Sequence, residues 1–185
     1  MREYVTDAVT LRKEPVGEAD VTVTLYTERL GRVLARATSA RKITSRLSAH
    51  LEPLTFLAAR LVEKRGSGNG AVRFQVVDAL ARGRLRCSPR VLRLLEATTP
   101  EGEPDAALWS LLQSGGDVDL RAVLRAVGFD PRHAHCDRCR NEAITHFSLP
   151  DTAYLCTSCV EVWRRRGMRD DQLLGIAPPV YTEEH

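Results

Sequence analysis

Four cysteines carry the most specific chemistry in this chain. They stand as Cys136-Asp137-Arg138-Cys139 and Cys156-Thr157-Ser158-Cys159, with sixteen residues between the pairs. Two C-x-x-C pairs separated by roughly fifteen to twenty residues are the pattern of a four-thiolate zinc site. Each pair bends into a knuckle that offers two sulfurs, and two knuckles complete a tetrahedron. Four protein ligands leave no position for an activated water, so the spacing predicts one structural Zn2+ rather than a catalytic one. Disulfides are the rival reading, but no secretory leader is read in the sequence and the composition is not that of a small disulfide scaffold. A thioredoxin-like redox site needs one such pair in a βαβ unit, not two matched pairs. Cys87 stands apart and reads as a small residue of surface or core. His135 sits beside Cys136 but is not needed as a ligand, and His133 and His146 read as surface histidines.

The second chemical signal is cationic. Net charge is only +3 over 185 residues, but the charges are segregated. Arg29 to Leu51 holds Arg29, Arg32, Arg36, Arg41, Lys42 and Arg46 and no acid. Arg82, Arg84, Arg86, Arg90 and Arg93 form a second acid-free run, and Arg164, Arg165, Arg166 and Arg169 a third. A single basic run is more often a solvated face than a site, but three in one chain point to a polyanion. No apolar stretch approaches the roughly 20 residues needed to span a bilayer, so no membrane association is expected and the chain reads as soluble and cytoplasmic. The chain is long enough to bury a core without depending on the metal for its whole stability.

These groups must be positioned by elements of two kinds. Through residue 80 the sequence reads as strands: Tyr4 to Leu11, Asp20 to Tyr26, Arg32 to Ala37, Leu54 to Val62 and Ala71 to Ala79. In the second, Val21, Val23 and Leu25 share one face and Thr22, Thr24 and Tyr26 the other. Gly31 is expected at positive φ in a hairpin. The glycine-rich Lys64 to Gly70 lacks a phosphate-loop pattern and reads as a hairpin loop. Five short strands with a long basic excursion between the third and fourth, Ala40 to His50, fit a closed barrel of the OB type. Beyond residue 80 the period becomes helical. Helices are expected from Pro89 to about Glu96, from Asp105 to Leu112, and over Leu120 to Val127 with Gly128 as the stop. Ile144 to Phe147 and Tyr154 to Leu155 can pair as a hairpin bearing one knuckle at each end, and Ser158 to Glu161 has a capping-box pattern that predicts a helix running to Gly167. The tail from Gly175 is expected to be extended or frayed. The fold class is therefore α+β: an N-terminal OB-type five-stranded β-barrel over 1–80, then a helical domain over 81–185 with a four-cysteine zinc ribbon embedded at about 133–160.

An enzyme reading has little support. His50-Leu51-Glu52 with a C-x-x-C pair is similar to the signature of zinc nucleobase deaminases, but neither pair follows a proline and four thiolates already fill the metal. No nucleophile triad or paired-carboxylate constellation can be placed from spacing, and no small-molecule substrate is expected.

Taken in order, several stretches resemble the bacterial recombination mediator family RecO: Val9-Thr10-Leu11-Arg12 with Gly17-Glu18-Ala19-Asp20, Leu25 to Arg32, Ser45-Arg46-Leu47, and Leu124 to Pro131 leading into the two cysteine pairs. The chain departs from the family where Arg140 and Ser39 stand in place of an expected glycine, the Gly-Gly expected before Cys156 is absent, and the segment between barrel and zinc module is shorter. The resemblance implies an OB barrel, a helical domain and a zinc ribbon. It implies binding of single- and double-stranded DNA, annealing of complementary strands, and work with RecR to load RecA on DNA coated by single-strand-binding protein. On charge and placement, Arg32, Arg36, Arg41, Lys42 and Arg46 are the barrel's candidate DNA contacts and Arg164, Arg165, Arg166 and Arg169 those of the zinc side. Tyr26 is a candidate for base stacking, or else a rim aromatic, and Trp109 reads as packed. The alternatives are a zinc-ribbon adaptor that holds protein partners, and a general nucleic-acid-binding OB protein, of DNA or RNA, without annealing activity.

Overall fold

The structure, a computed structural model, describes residues 2–42, 45–64, 74–167 and 169–176. The strand-forming half closes into a five-stranded barrel in the order β1-β2-β3-β5-β4. β1 (Arg2–Val16) is long enough to serve two neighbours, pairing β4 (Thr55–Glu63) through its first half and β2 (Asp20–Thr27) through its second. A bulge between Thr10 and Arg12 turns that corner, where one extra residue bends the strand. β3 (Gly31–Ala37) meets β5 (Phe74–Arg84) in a short parallel pairing, Ala35 with Phe74 and Arg36 with Gln75, and this closes the barrel without a free edge. Its interior is filled by alternating positions: Ala8; Val21, Val23 and Leu25; Val33, Ala35 and Ala37; Leu57, Ala59 and Leu61; Val76 and Ala79. The alanines let strands of so small a barrel approach its axis. The basic excursion holds one helical turn, α1 (Leu47–His50), that the sequence pattern does not announce. The glycine-rich loop at 65–70 and the expected strand start at 71–73 lie outside the described residues.

The outer face of β2 is not open. Tyr26 is 1% exposed and its ring lies 6.2 Å from that of Trp109, which Phe56 also contacts. Its hydroxyl accepts from the Asp105 N–H. Base stacking by Tyr26 is thereby excluded, and Trp109 is packed as expected. While α2 (Pro89–Thr98) packs against β1, the cover comes from α3 (Ala106–Gln113), capped by Asp105, whose Oδ1 accepts from the N–H groups of Ala107 and Leu108. The boundary expected near residue 80 thus falls within β5, and the compact unit that contains the barrel extends to Asp119.

The second unit begins at Leu120. α4 (Leu120–Ala126) and a 3-10 turn (Pro131–His133) lead to the hairpin of β6 (Ile144–Ser148) and β7 (Ala153–Cys156), and α5 (Thr157–Arg165) leaves directly from it. Cys156 is the N-cap of α5 and no side chain caps it, so the expected capping box does not form: the knuckle itself starts the helix. A third strand, β8 (Leu173–Gly175), joins the sheet beside β6. Gly175 and Ile176 are therefore held, Ile176 donating to the Thr145 carbonyl, and the expectation of a frayed tail from Gly175 is corrected at those two residues; 177–185 lie outside the described residues. Among the described residues no helix is long and apolar enough to cross a membrane.

Candidate metal centre and nucleic-acid interface

The hairpin brings the two cysteine pairs together. The four Sγ atoms of Cys136, Cys139, Cys156 and Cys159 all lie within 4.8 Å of one another, and Cys139 and Cys156 are 3.6 Å apart. Zn–S bonds of about 2.3 Å in a tetrahedron place sulfurs roughly 3.8 Å apart, so the set has the size of a zinc cage. The first knuckle is closed by the Arg140 N–H on the Cys136 carbonyl at 2.8 Å and is tied to β7 by the Asp137 N–H on the Tyr154 carbonyl at 2.9 Å. Arg140 takes φ 63°, the conformation that explains why glycine is expected there. Burial pushes the Cys136 thiol up, but the N–H groups of Cys156, Cys139 and Arg138 outweigh it and hold the group at about 6. Those donors are what a thiolate ligand needs. Cys159 is pushed up to about 12, chiefly by the thiols of Cys136 and Cys139. Four thiolates this close repel one another, and a dication relieves that repulsion. Beneath them Leu155, Val160, Leu173 and the fully buried Trp163 form a small core with Cys136 and Cys156.

The basic loop after β3 is organised by one carboxylate. Asp20 Oδ1 accepts from the Ser39 N–H at 2.7 Å, and Oδ2 accepts from Arg36 Nε at 2.9 Å. The Ser39 N–H, then the Arg36 guanidinium, hold the Asp20 carboxyl below its ordinary range against a desolvation that opposes them, and Lys42 adds to the effect. Arg41 reaches back to the β1–β2 turn, its backbone N–H on the Ala19 carbonyl and its side chain on that of Gly17. Arg36 and Lys42 thereby act on Asp20, Arg41 is held on the neighbouring backbone carbonyls, and all three are exposed. Ser39, the other non-glycine departure, has φ 55°.

A family model described as recombination protein O N terminal matches residues 1–80. The chain is 32% identical over 180 residues to the DNA repair protein RecO of Pelotomaculum thermopropionicum, covering 86% of this chain and 70% of that protein. It is 30% identical over 183 residues to that of Bacillus velezensis, covering 84% and 68%. With the Bacillus subtilis protein it shares 28% over 175 residues, covering 84% and 68%. The chain belongs to the RecO family.

In this RecO-family chain the remaining candidate cations divide by what already holds them. Arg32 is a part-buried clamp, its Nε on the Thr99 carbonyl at 2.7 Å and Nη1 3.7 Å from Glu101. Arg46 is exposed and among the described residues makes no ion pair. On α5 and after it, Arg164 pairs with Asp170 at 2.7 Å and Arg169 with Asp171 at 2.6 Å, while Arg165 and Arg166 are exposed at the helix end. Much of the second basic run is engaged within the first unit: Arg82 on Asp7 at 2.9 Å and Arg86 on Asp117 at 3.0 Å. His50, which suggested the deaminase comparison, accepts from the Ala81 N–H through Nδ1 and serves β5. Sequence reasoning missed Asp20 as the organiser of the basic loop; its place at the head of β2, directly after a turn, was the available signal.

Proposed function

We propose that this RecO-family chain acts in DNA repair and recombination as a mediator without bond chemistry. It binds single- and double-stranded DNA through phosphates, anneals complementary strands, and works with RecR to load RecA on DNA coated by single-strand-binding protein. The observation that supports the reading is the basic loop tied to the head of β2, Arg36 and the Ser39 N–H on Asp20 and Arg41 on the Gly17 carbonyl, which displays Arg36, Arg41 and Lys42 from a closed barrel. Annealing requires that two phosphate backbones be screened from each other, which scattered guanidinium and ammonium groups accomplish without a catalytic residue. Arg46 extends the same surface, Arg32 contributes after release from Thr99, and Arg164, Arg165, Arg166 and Arg169 supply the zinc side, with Arg165 and Arg166 foremost. Cys136, Cys139, Cys156 and Cys159 hold one zinc ion as a structural staple for the ribbon at about 133–160. The working segments are the unit that contains the barrel, to Asp119, and the unit from Leu120 that carries the ribbon, acting in the cytoplasm.

The test is annealing of complementary fluorescent single strands across a salt series, with and without single-strand-binding protein. Four phosphate contacts predict that single-strand affinity falls about 50-fold for a fourfold rise in salt. Charge reversal at Arg36 and Arg41 abolishes binding in this reading. A flat salt response, or reversal without effect, overturns it; binding without annealing leaves a general nucleic-acid module, and neither leaves an adaptor for protein partners.

A further inference from the structure

The second unit has a cavity of about 820 Å³ that the basic runs do not describe. Its arginines and histidines come from four separate places in that unit: Arg121 from the first turn of α4, Arg132 and His133 from the 3-10 turn, His135 from just before the first knuckle, and Arg140 from just after it. Among the described residues Glu142 is the one acid in the lining, and Ile144 and Ile176 give it an apolar side. Arg132 holds Asp130 through Nε and Nη2, at 3.0 and 2.6 Å to Oδ2, which leaves Nη1 outside that fork. Arg140 touches His135, its Nη1 donating to the ring Nε2, so that guanidinium and imidazole stand as one polar wall.

A volume of this size lies within the range of roughly 300–1,000 Å³ typical of sites that enclose small ligands. Guanidinium forks match phosphate oxygens, and histidine rings and guanidinium planes are surfaces on which an unpaired base stacks. A base inside a duplex cannot enter a cavity, because it must first leave its stack at a cost of a few kcal/mol. We infer that this cavity is a subsite for one unpaired nucleotide of a single-stranded segment, its phosphate on Arg121, Arg132 and Arg140 and its base against the histidines. The inference rests on the nucleic-acid reading above but on different residues, and it makes the second unit selective for single strands where the loop on Asp20 is indifferent. An acidic peptide would use the same forks, but it has no planar group to place on the rings.

Arg140→Gly is the variant that isolates the subsite, because glycine suits φ 63° and the knuckle keeps its backbone. Full-length protein is titrated with a short fluorescein-labelled thymidine oligonucleotide and with a blunt duplex, and thermal melts confirm that the variant folds. Arg140→Gly is expected to weaken the single strand about tenfold, the worth of one charge-assisted contact, and the duplex less than about twofold. Arg121→Gln, which leaves the knuckle untouched, is expected to do the same. An equal loss on both ligands, no loss on either, or displacement of the oligonucleotide by an acidic peptide more readily than by unlabelled oligonucleotide overturns the subsite. Competition by thymidine monophosphate as strong as by the oligonucleotide also overturns it, since it would make the ligand a free nucleotide. If charge reversal at Arg36 and Arg41 abolishes binding while Arg140→Gly changes nothing, the subsite fails and the DNA reading stands; if wild-type protein binds no DNA, both fail.

Discussion

Gly17 and Gly31 form a natural control pair, with the same backbone conformation and different surroundings. Their φ values are 59° and 62°. A Cβ on Gly17 meets nothing within 4 Å, whereas one on Gly31 stands 2.1 Å from the Glu103 carbonyl oxygen and 2.3 Å from its carbon. Alanine at either site incurs about 1–2 kcal/mol for left-handed backbone, offset by about 0.4–1 kcal/mol as the unfolded chain loses freedom. Gly17→Ala should therefore cost about 1 kcal/mol. Gly31→Ala must in addition push the 99–105 segment off the barrel by more than about 1 Å to reach ordinary contact. That displacement breaks the Gly102 N–H bond to the Arg32 carbonyl at 3.0 Å and the Arg32 Nε bond to the Thr99 carbonyl at 2.7 Å. One neutral and one charge-assisted bond add about 2–4 kcal/mol. Native-state hydrogen exchange on peptides from β2 and β3, with urea melts alongside, measures both variants. A difference between them smaller than about 0.5 kcal/mol would refute the claim that close approach, and not φ alone, selects glycine at position 31.

Three further outcomes follow from the site geometry. Removing the metal with a chelator should raise hydrogen exchange over 131–176 and shift the emission of Trp163, packed against the cysteines, while barrel peptides stay protected; parallel loss of barrel protection would contradict the two-unit division. Ser39→Gly should stabilise by about 0.5 kcal/mol in a urea melt, as relief of positive φ exceeds the entropy that glycine adds to the unfolded chain; destabilisation would show that the serine side chain contributes. The folded pKa of Asp20 is depressed, so its contribution is present above the unfolded carboxyl value of about 4 and is lost as pH falls through the lower folded one. Asp20→Asn should therefore lower the melting midpoint at neutral pH and converge with wild type in acid, whereas a gap that persists at the lowest pH would point to a steric cause.

The barrel's inward face was legible because period-two alternation writes burial directly into sequence: Val21, Val23 and Leu25 point to the core and do so in the fold. The cysteine pairs were legible because ligand spacing is a local property of two tight turns. Two strained positions, Ser39 and Arg140, were legible through the family resemblance, which expects glycine there; Leu54 and Thr152, also at positive φ, carried no such signal. What tertiary structure alone decided concerns the other face and the free charges. Alternation cannot say whether the far side of β2 meets water or a helix, and Trp109, more than eighty residues on, is what buries Tyr26. β8 is three residues long, too short for any period to register, and its register comes from β6. A run of arginines counts charge but not partners: Arg164 and Arg169 meet acids a few residues away, Arg32 meets a carbonyl 67 residues on, and the Arg121, Arg132 and Arg140 of the cavity belong to no run at all. Composition and spacing therefore determined which chemistry this chain carries. Long-range packing determined where that chemistry is exposed, because desolvation and pairing act between residues that only the fold makes neighbours.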